Sequence, residues 1–129
     1  LGWVVIFNNI IHFTLCKITA VIFKNIQKLA ISIAKGADGD VRLASAQAAD
    51  ELLTLENVKA SFVIYESGGK ICISARSFGA VNVQIIMEKL GGGGHQTMSA
   101  TQLSDINKEQ ALKMLIEVID TNLEDASCK

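Results

Sequence analysis

Val58 to Ser77 reads VKASFVIYESGGKICISARS, and the fold turns on how this stretch divides. Val58 to Tyr65 alternates as a strand does, with Phe62 and Ile64 on one side and Ser61 and Val63 on the other. Glu66-Ser67-Gly68-Gly69 reads as a hairpin turn. Lys70 to Ser77 is then the return strand. Its period of two puts Ile71, Ile73 and Ala75 on one face and Cys72, Ser74 and Arg76 on the other. A hydroxyl and a guanidinium two residues apart on one face can grip an anion, because arginine offers a planar fork suited to phosphate. The plainer reading of a lone arginine there is an exposed cation at a strand end.

Toward the C-terminus, Phe78-Gly79-Ala80 turns the chain into a helix from about Asn82 to Leu90. Asn82 is placed to cap it. Val83, Ile86, Met87 and Leu90 form one apolar stripe. Gly91 falls just past the helix end, where glycine is favoured. Gly92, Gly93, Gly94 and His95 follow. Glycine loses more backbone entropy on ordering than any other residue, so four in a row need a reason. Successive N–H groups without Cβ atoms can cradle an anion, and a histidine adds a donor. The run fits no P-loop or dinucleotide fingerprint, and a flexible connection is the alternative. Met98 to Leu103 reads as a strand with Ser99 and Thr101 opposite Met98, Ala100 and Gln102. Asn107 and Gln110 make a capping box for the last helix. Leu112, Leu115, Ile116, Ile119 and Leu123 form its stripe, and the polar tail 124–129 is expected to fray.

Toward the N-terminus, Arg42 to Leu55 is helical, with Ala46, Ala49 and Leu53 on one face. Gly36-Ala37-Asp38-Gly39-Asp40 is a turn whose aspartates lack EF-hand spacing. Lys28 to Lys35, KLAISIAK, is a strand in which Ala30, Ser32 and Ala34 alternate with Leu29, Ile31 and Ile33. Leu1 to Phe23 is crowded with Ile, Val and Phe, which favours strands, or a strand and a short helix. Asn8, Asn9, His12 and Lys17 interrupt it and are costly in hydrocarbon, so it is expected to pack on the domain or a partner. His12, among apolar neighbours, reads as a hydrogen-bonded core histidine.

The chain has 129 residues, enough for one ordinary domain. Its net charge of −1 excludes the broad basic field that drives non-specific DNA binding. Cys16, Cys72 and Cys128 form no CxxC or Cys/His cluster, so reduced thiols are expected rather than zinc. A start at Leu1 rather than Met suggests a piece of a longer protein. The expectation is one α/β domain, 26–129, with a mixed β-sheet of about four or five strands flanked by helices, preceded by an apolar segment, 1–25.

Beyond these physical readings, ISARSFGAVNVQIIMEKLGGGGHQTMSATQLSD, Ile73 to Asp105, resembles the DHH-associated domain of DHH-family phosphoesterases. The segments SAQAADELL, Ser45 to Leu53, and ASFVIYE, Ala60 to Glu66, resemble the membrane-anchored cyclic-di-AMP phosphodiesterases of that family. The resemblance implies a substrate-binding domain for cyclic di-AMP or short oligonucleotides. It assigns nucleotide and phosphate contacts to Ser74, Arg76 and Ser77, to Gly91, Gly92, Gly93 and Gly94, and to His95, with Asn82 a weaker candidate. It implies a manganese pair in a separate DHH catalytic domain. This chain has no Asp-His-His motif, so no catalytic residue, metal ligand or cofactor is assigned to it, and it is expected to be inactive alone. Implied partners are a cyclic dinucleotide or short oligonucleotide, the DHH catalytic domain, and a second copy of the chain. The implied location is cytoplasmic, as the cytoplasmic part of a membrane-anchored protein. Two rival readings are a general single-strand nucleic-acid module and a regulatory or dimerisation domain with a vestigial loop. The resemblance also implies that Arg76 and His95 converge on one anion site across a helix that runs about 13 Å at the standard rise.

Overall fold

The computed structural model describes residues 3–7, 18–24, 29–34, 41–54 and 58–127. Ten elements follow in order: β1 (Trp3–Phe7), β2 (Ile18–Lys24), β3 (Leu29–Ala34), α1 (Val41–Leu52), β4 (Ala60–Ser67), β5 (Lys70–Ser77), α2 (Val83–Lys89), β6 (Gly93–Gly94), β7 (Met98–Leu103) and α3 (Lys108–Ser127). The strands form one sheet in the order β1-β2-β3-β4-β5-β7-β6. Only β3 and β4 run parallel, and α1 connects them, as a parallel pair requires a crossover. The five strands β3 to β7 make the expected mixed sheet. β1 and β2 extend it at one edge, with β2 antiparallel to β3. His12, Cys16, Cys128 and the turn 36–40 lie outside the described residues.

The hairpin divides where the alternation of its residues says it should. Gly68 and Gly69 have φ of +58° and +74°, the pair of left-handed residues that a tight two-residue turn matched to strand twist demands. The register then sets Phe62 against Ala75 and Ile64 against Ile73. These residues, with Leu29, Ile31 and Ile71, form the face covered by α2 and α3. Val83, Ile86 and Met87 come down from α2, and Ala111, Leu115 and Ile119 from α3. Fully burying side chains of this size contributes about 1.5–3 kcal/mol each. Asn107 and Gln110 close the capping box at the start of α3, donating and accepting at 2.8 and 2.9 Å. The helix continues to Ser127, past residue 124 where the polar composition suggested fraying.

The opposite face is covered by α1. Its buried residues are Val41, Ala44, Ser45, Ala48, Ala49 and Leu52. The expected stripe is therefore rotated: Ala49 and Leu53 are buried, but Ala46 is only half-buried. With alanine at so many positions, hydropathy does not distinguish neighbouring stripes. A hydroxyl does: Ser61 Oγ donates to the Ala49 carbonyl at 2.5 Å and fixes that side of the helix to β4. Tyr65 and Cys72 lie on this face, 4% and 3% exposed, and burial raises the pKa of both.

Candidate functional site

Arg76 is the last residue of the Cys72–Ser74–Arg76 row, and its partner across the ladder is Met98 of β7. Met98 is in turn the far side of a two-residue turn. The His95 N–H donates to the Met98 carbonyl at 2.7 Å, and the Met98 N–H donates back at 3.3 Å. Directly paired residues of a sheet share a face. Arg76, Met98 and His95 thus stand in one row across β5, β7 and the end of β6. The return path is short because β7 inserts between β5 and β6. Strand order thus returns the backbone at His95 to the far side of Met98 from Arg76, despite the length of α2.

The four glycines do different things. Gly91, with φ of +85°, and Gly92 end α2: their N–H groups donate to the Glu88 carbonyl at 3.0 Å and the Met87 carbonyl at 2.8 Å. That is the double-bonded helix stop in which a left-handed residue follows the cap. Gly92 also presses on β7, where a Cβ would lie 2.1 Å from the Ala100 carbonyl oxygen. Gly94 has φ of +143°, and a Cβ there would lie 2.5 Å from the Met98 carbonyl oxygen. Gly93 is the exception. Its φ is not left-handed and a Cβ would meet nothing within 4 Å. The run is therefore not a flexible connection; two of its members form β6, a strand that glycine's propensity would not predict.

Three hydroxyls hold this end of the sheet together. Ser77 is buried; its Oγ donates to the Val81 carbonyl at 2.7 Å, lies 3.3 Å from the Gln96 carbonyl, and accepts from the Gly79 N–H. Ser99 Oγ donates to the His95 carbonyl at 2.6 Å, and Thr101 Oγ1 to the Leu90 carbonyl at 2.9 Å. Gln96 Nε2 reaches the Gly79 carbonyl at 3.1 Å, and Val83 N–H donates to the Gln96 carbonyl. The turn after β5 and the turn before β7 are thus one fastened unit. Sequence reasoning gave no role to Gln96, Ser99 or Thr101; the signal was two inward hydroxyls on β7, buried at 3% and 4% exposure.

The remaining candidates separate. Ser74 is 5% exposed and interacts with the Tyr65 phenol. Asn82 Oδ1 is committed to capping, accepting from the Gln84 and Ile85 N–H groups. Arg76 has 13% of its side chain exposed; Nη1 donates to the Ala75 carbonyl at 2.9 Å, and Nε lies 3.4 Å from Asp50 Oδ1 without a hydrogen bond. The guanidinium is oriented but not saturated. His95 and Gly94 are exposed and Gly93 is half-buried. Among the described residues no three His, Cys, Asp or Glu side chains gather so as to hold a metal ion. A cleft of about 450 Å³ lies at the other end of β5, lined by Glu66, Ile71, Ile106, Asn107, Lys108 and Glu109. Its lysine donates to the Ala34 carbonyl and two carboxylates line it, so it suits an anion poorly.

Residues 26–121, which hold the glycine stop, the short glycine strand and the arginine row, match the DHHA1 domain, and the chain belongs to that family. It is 54% identical over 97 residues to the cyclic-di-AMP phosphodiesterase GdpP of Geobacillus thermodenitrificans, covering 73% of this chain and 15% of that protein. It is 57% identical over 77 residues to the cyclic-di-AMP phosphodiesterase PdeA of Listeria monocytogenes, covering 59% of this chain and 12% of that protein. The chain thus spans less than a sixth of the length of these relatives. The fold is similar to that of an exopolyphosphatase-related protein from Bacteroides fragilis, with a TM-score of 0.62, 21% identity, and 72% of this chain and 28% of that one covered. Among the described residues no helix is long and apolar enough to cross a membrane.

Proposed function

We propose that this domain is the substrate-binding half of a phosphodiesterase acting on cyclic di-AMP or a short oligonucleotide, with the metal chemistry supplied by a separate DHH domain. The observation that carries the reading is the Arg76–Met98–His95 row beside Gly93. Arg76 offers a guanidinium beside Asp50 whose Nε makes no hydrogen bond, His95 an exposed position, and Gly93 an absent side chain that the fold itself does not need. A phosphate approaching that edge meets charge from one side and open backbone from the other. The relatives named for cyclic di-AMP make that dinucleotide the first ligand to try. In the whole enzyme a manganese pair in the other domain would supply the activated water. This chain would bind, orient and neutralise the phosphate, in a cytoplasmic domain.

Calorimetric titration with cyclic di-AMP tests the reading. Binding by the chain, weakened by His95→Ala, with no turnover in the presence of manganese, is expected. Failure to bind at millimolar ligand, or hydrolysis that His95→Ala abolishes, would overturn it.

A further inference from the structure

Phe78 is the residue that the fold leaves unexplained. It is 73% exposed, the most exposed of the large apolar side chains described. Burial of a phenylalanine stabilises a protein by about 1.5–3 kcal/mol, and here that gain is forgone. Its position is not loose. It lies between Ser77, whose N–H donates to the Thr97 carbonyl at 3.0 Å, and Gly79, whose carbonyl takes the Gln96 side chain. Phe78 therefore rides on the same fastened unit as His95 and sits two residues from Arg76. Met98, which separates Arg76 from His95 in the row, is 52% exposed. An exposed methionine thus stands between the arginine and the histidine, and an exposed phenylalanine two residues along the chain from the arginine.

We infer that Phe78 is the platform on which a nucleobase stacks when Arg76 and His95 hold the attached phosphate, with Met98 forming the apolar floor between them. This rests on the phosphate-binding reading above and adds a base-recognising residue to it. An aromatic face accepts any base, so the platform gives affinity for nucleotides over plain phosphate esters without choosing among bases. A fixed turn makes it effective, since the ring's backbone is ordered before the ligand arrives.

The test uses two probes, AMP and ribose 5-phosphate, titrated into the chain. Phe78→Ala is expected to weaken AMP about tenfold or more, in line with base–aromatic stacking, and to leave ribose 5-phosphate unchanged. Phe78→Trp is expected to keep or improve AMP binding. Arg76→Ala should weaken both probes alike. If Phe78→Ala leaves AMP untouched, as it would were Phe78 a contact for another protein domain, or weakens both probes equally, the inference falls while the phosphate site stands. If the unsubstituted chain binds neither probe, both fall together.

Discussion

Arg76 and His95 are nineteen residues apart in sequence and one strand apart in space: Met98 pairs with Arg76 on one side and exchanges both backbone hydrogen bonds with His95 on the other. The site candidates nearest this row inherit their geometry from β7, so the predictions that follow separate residues that build the row from residues that would use it.

The glycines give the sharpest separation. Gly92→Ala drives a Cβ into the Ala100 backbone, and Gly94→Ala adds a left-handed conformation to a clash with the Met98 carbonyl. Each should cost more than about 2 kcal/mol by urea unfolding, because neither neighbour is a side chain that can swing away. Gly93→Ala should stay within about 0.5 kcal/mol of the parent, yet weaken cyclic di-AMP. Equal destabilisation across the three would show that the loop is one cooperative structure with no position reserved for a ligand.

Ser77 is expected to be structural. Removing its hydroxyl orphans the Gly79 N–H and loosens the Val81 and Gln96 carbonyls. Ser77→Ala should destabilise by about 1–3 kcal/mol and speed amide exchange at Val83, whose donor bond to Gln96 depends on that turn. A Ser77→Ala protein of parental stability that binds nucleotide poorly would return Ser77 to direct contact.

Asn82 can be judged by rescue. Asn82→Ala should lose about 1 kcal/mol as a helix cap. Asn82→Asp keeps an acceptor oxygen and places negative charge at a helix start, so it should restore that stability. If Asn82→Asp instead folds well but repels cyclic di-AMP much more than Asn82→Ala does, the side chain faces the phosphate.

Burial raises the pKa of Tyr65 above 10.0 and of Cys72 above 9.0, their ordinary values. A raised folded-state pKa means that the folded chain holds its proton longer than the unfolded chain. Stability is then full below the ordinary values and falls as pH climbs through them. Urea midpoints should be flat with respect to these two groups at neutral pH and drop above about pH 9. Tyr65→Phe should blunt the drop; an unchanged profile would assign the alkaline loss elsewhere.

Much of this was legible in the sequence because it is local. Gly68-Gly69, Asn82, Gly91, and Asn107 with Gln110 each act within a few residues, and each does what its residue type implies. The period of two put Arg76 on the face it occupies. What could not be read needs a partner from elsewhere in the chain. Gly92 and Gly94 are required by β7, a strand not yet formed in sequence order, so the run could be read only as a cradle for a ligand or as a flexible connection. The hydrogen bonds of Ser77 to Val81 and Gln96 could not be read from SARS, because nothing there shows that those residues will come to it. The α1 stripe was misjudged because alanines carry too little hydropathy contrast. The β-branched content points to strands in the segment that holds β1 and β2, but that segment is too uniformly apolar for alternation to mark where they begin and end.

The central claim is that nucleotide phosphate binds at the Arg76–His95 end of the sheet, and amide chemical-shift mapping of the chain titrated with cyclic di-AMP tests it most directly. Perturbations are expected at Arg76, Phe78, Gly93, His95 and Met98, and their loss in Arg76→Ala. Perturbations centred instead on Glu66, Ile71 and the Asn107–Glu109 turn at the other end of β5, or none at saturating ligand, would contradict it.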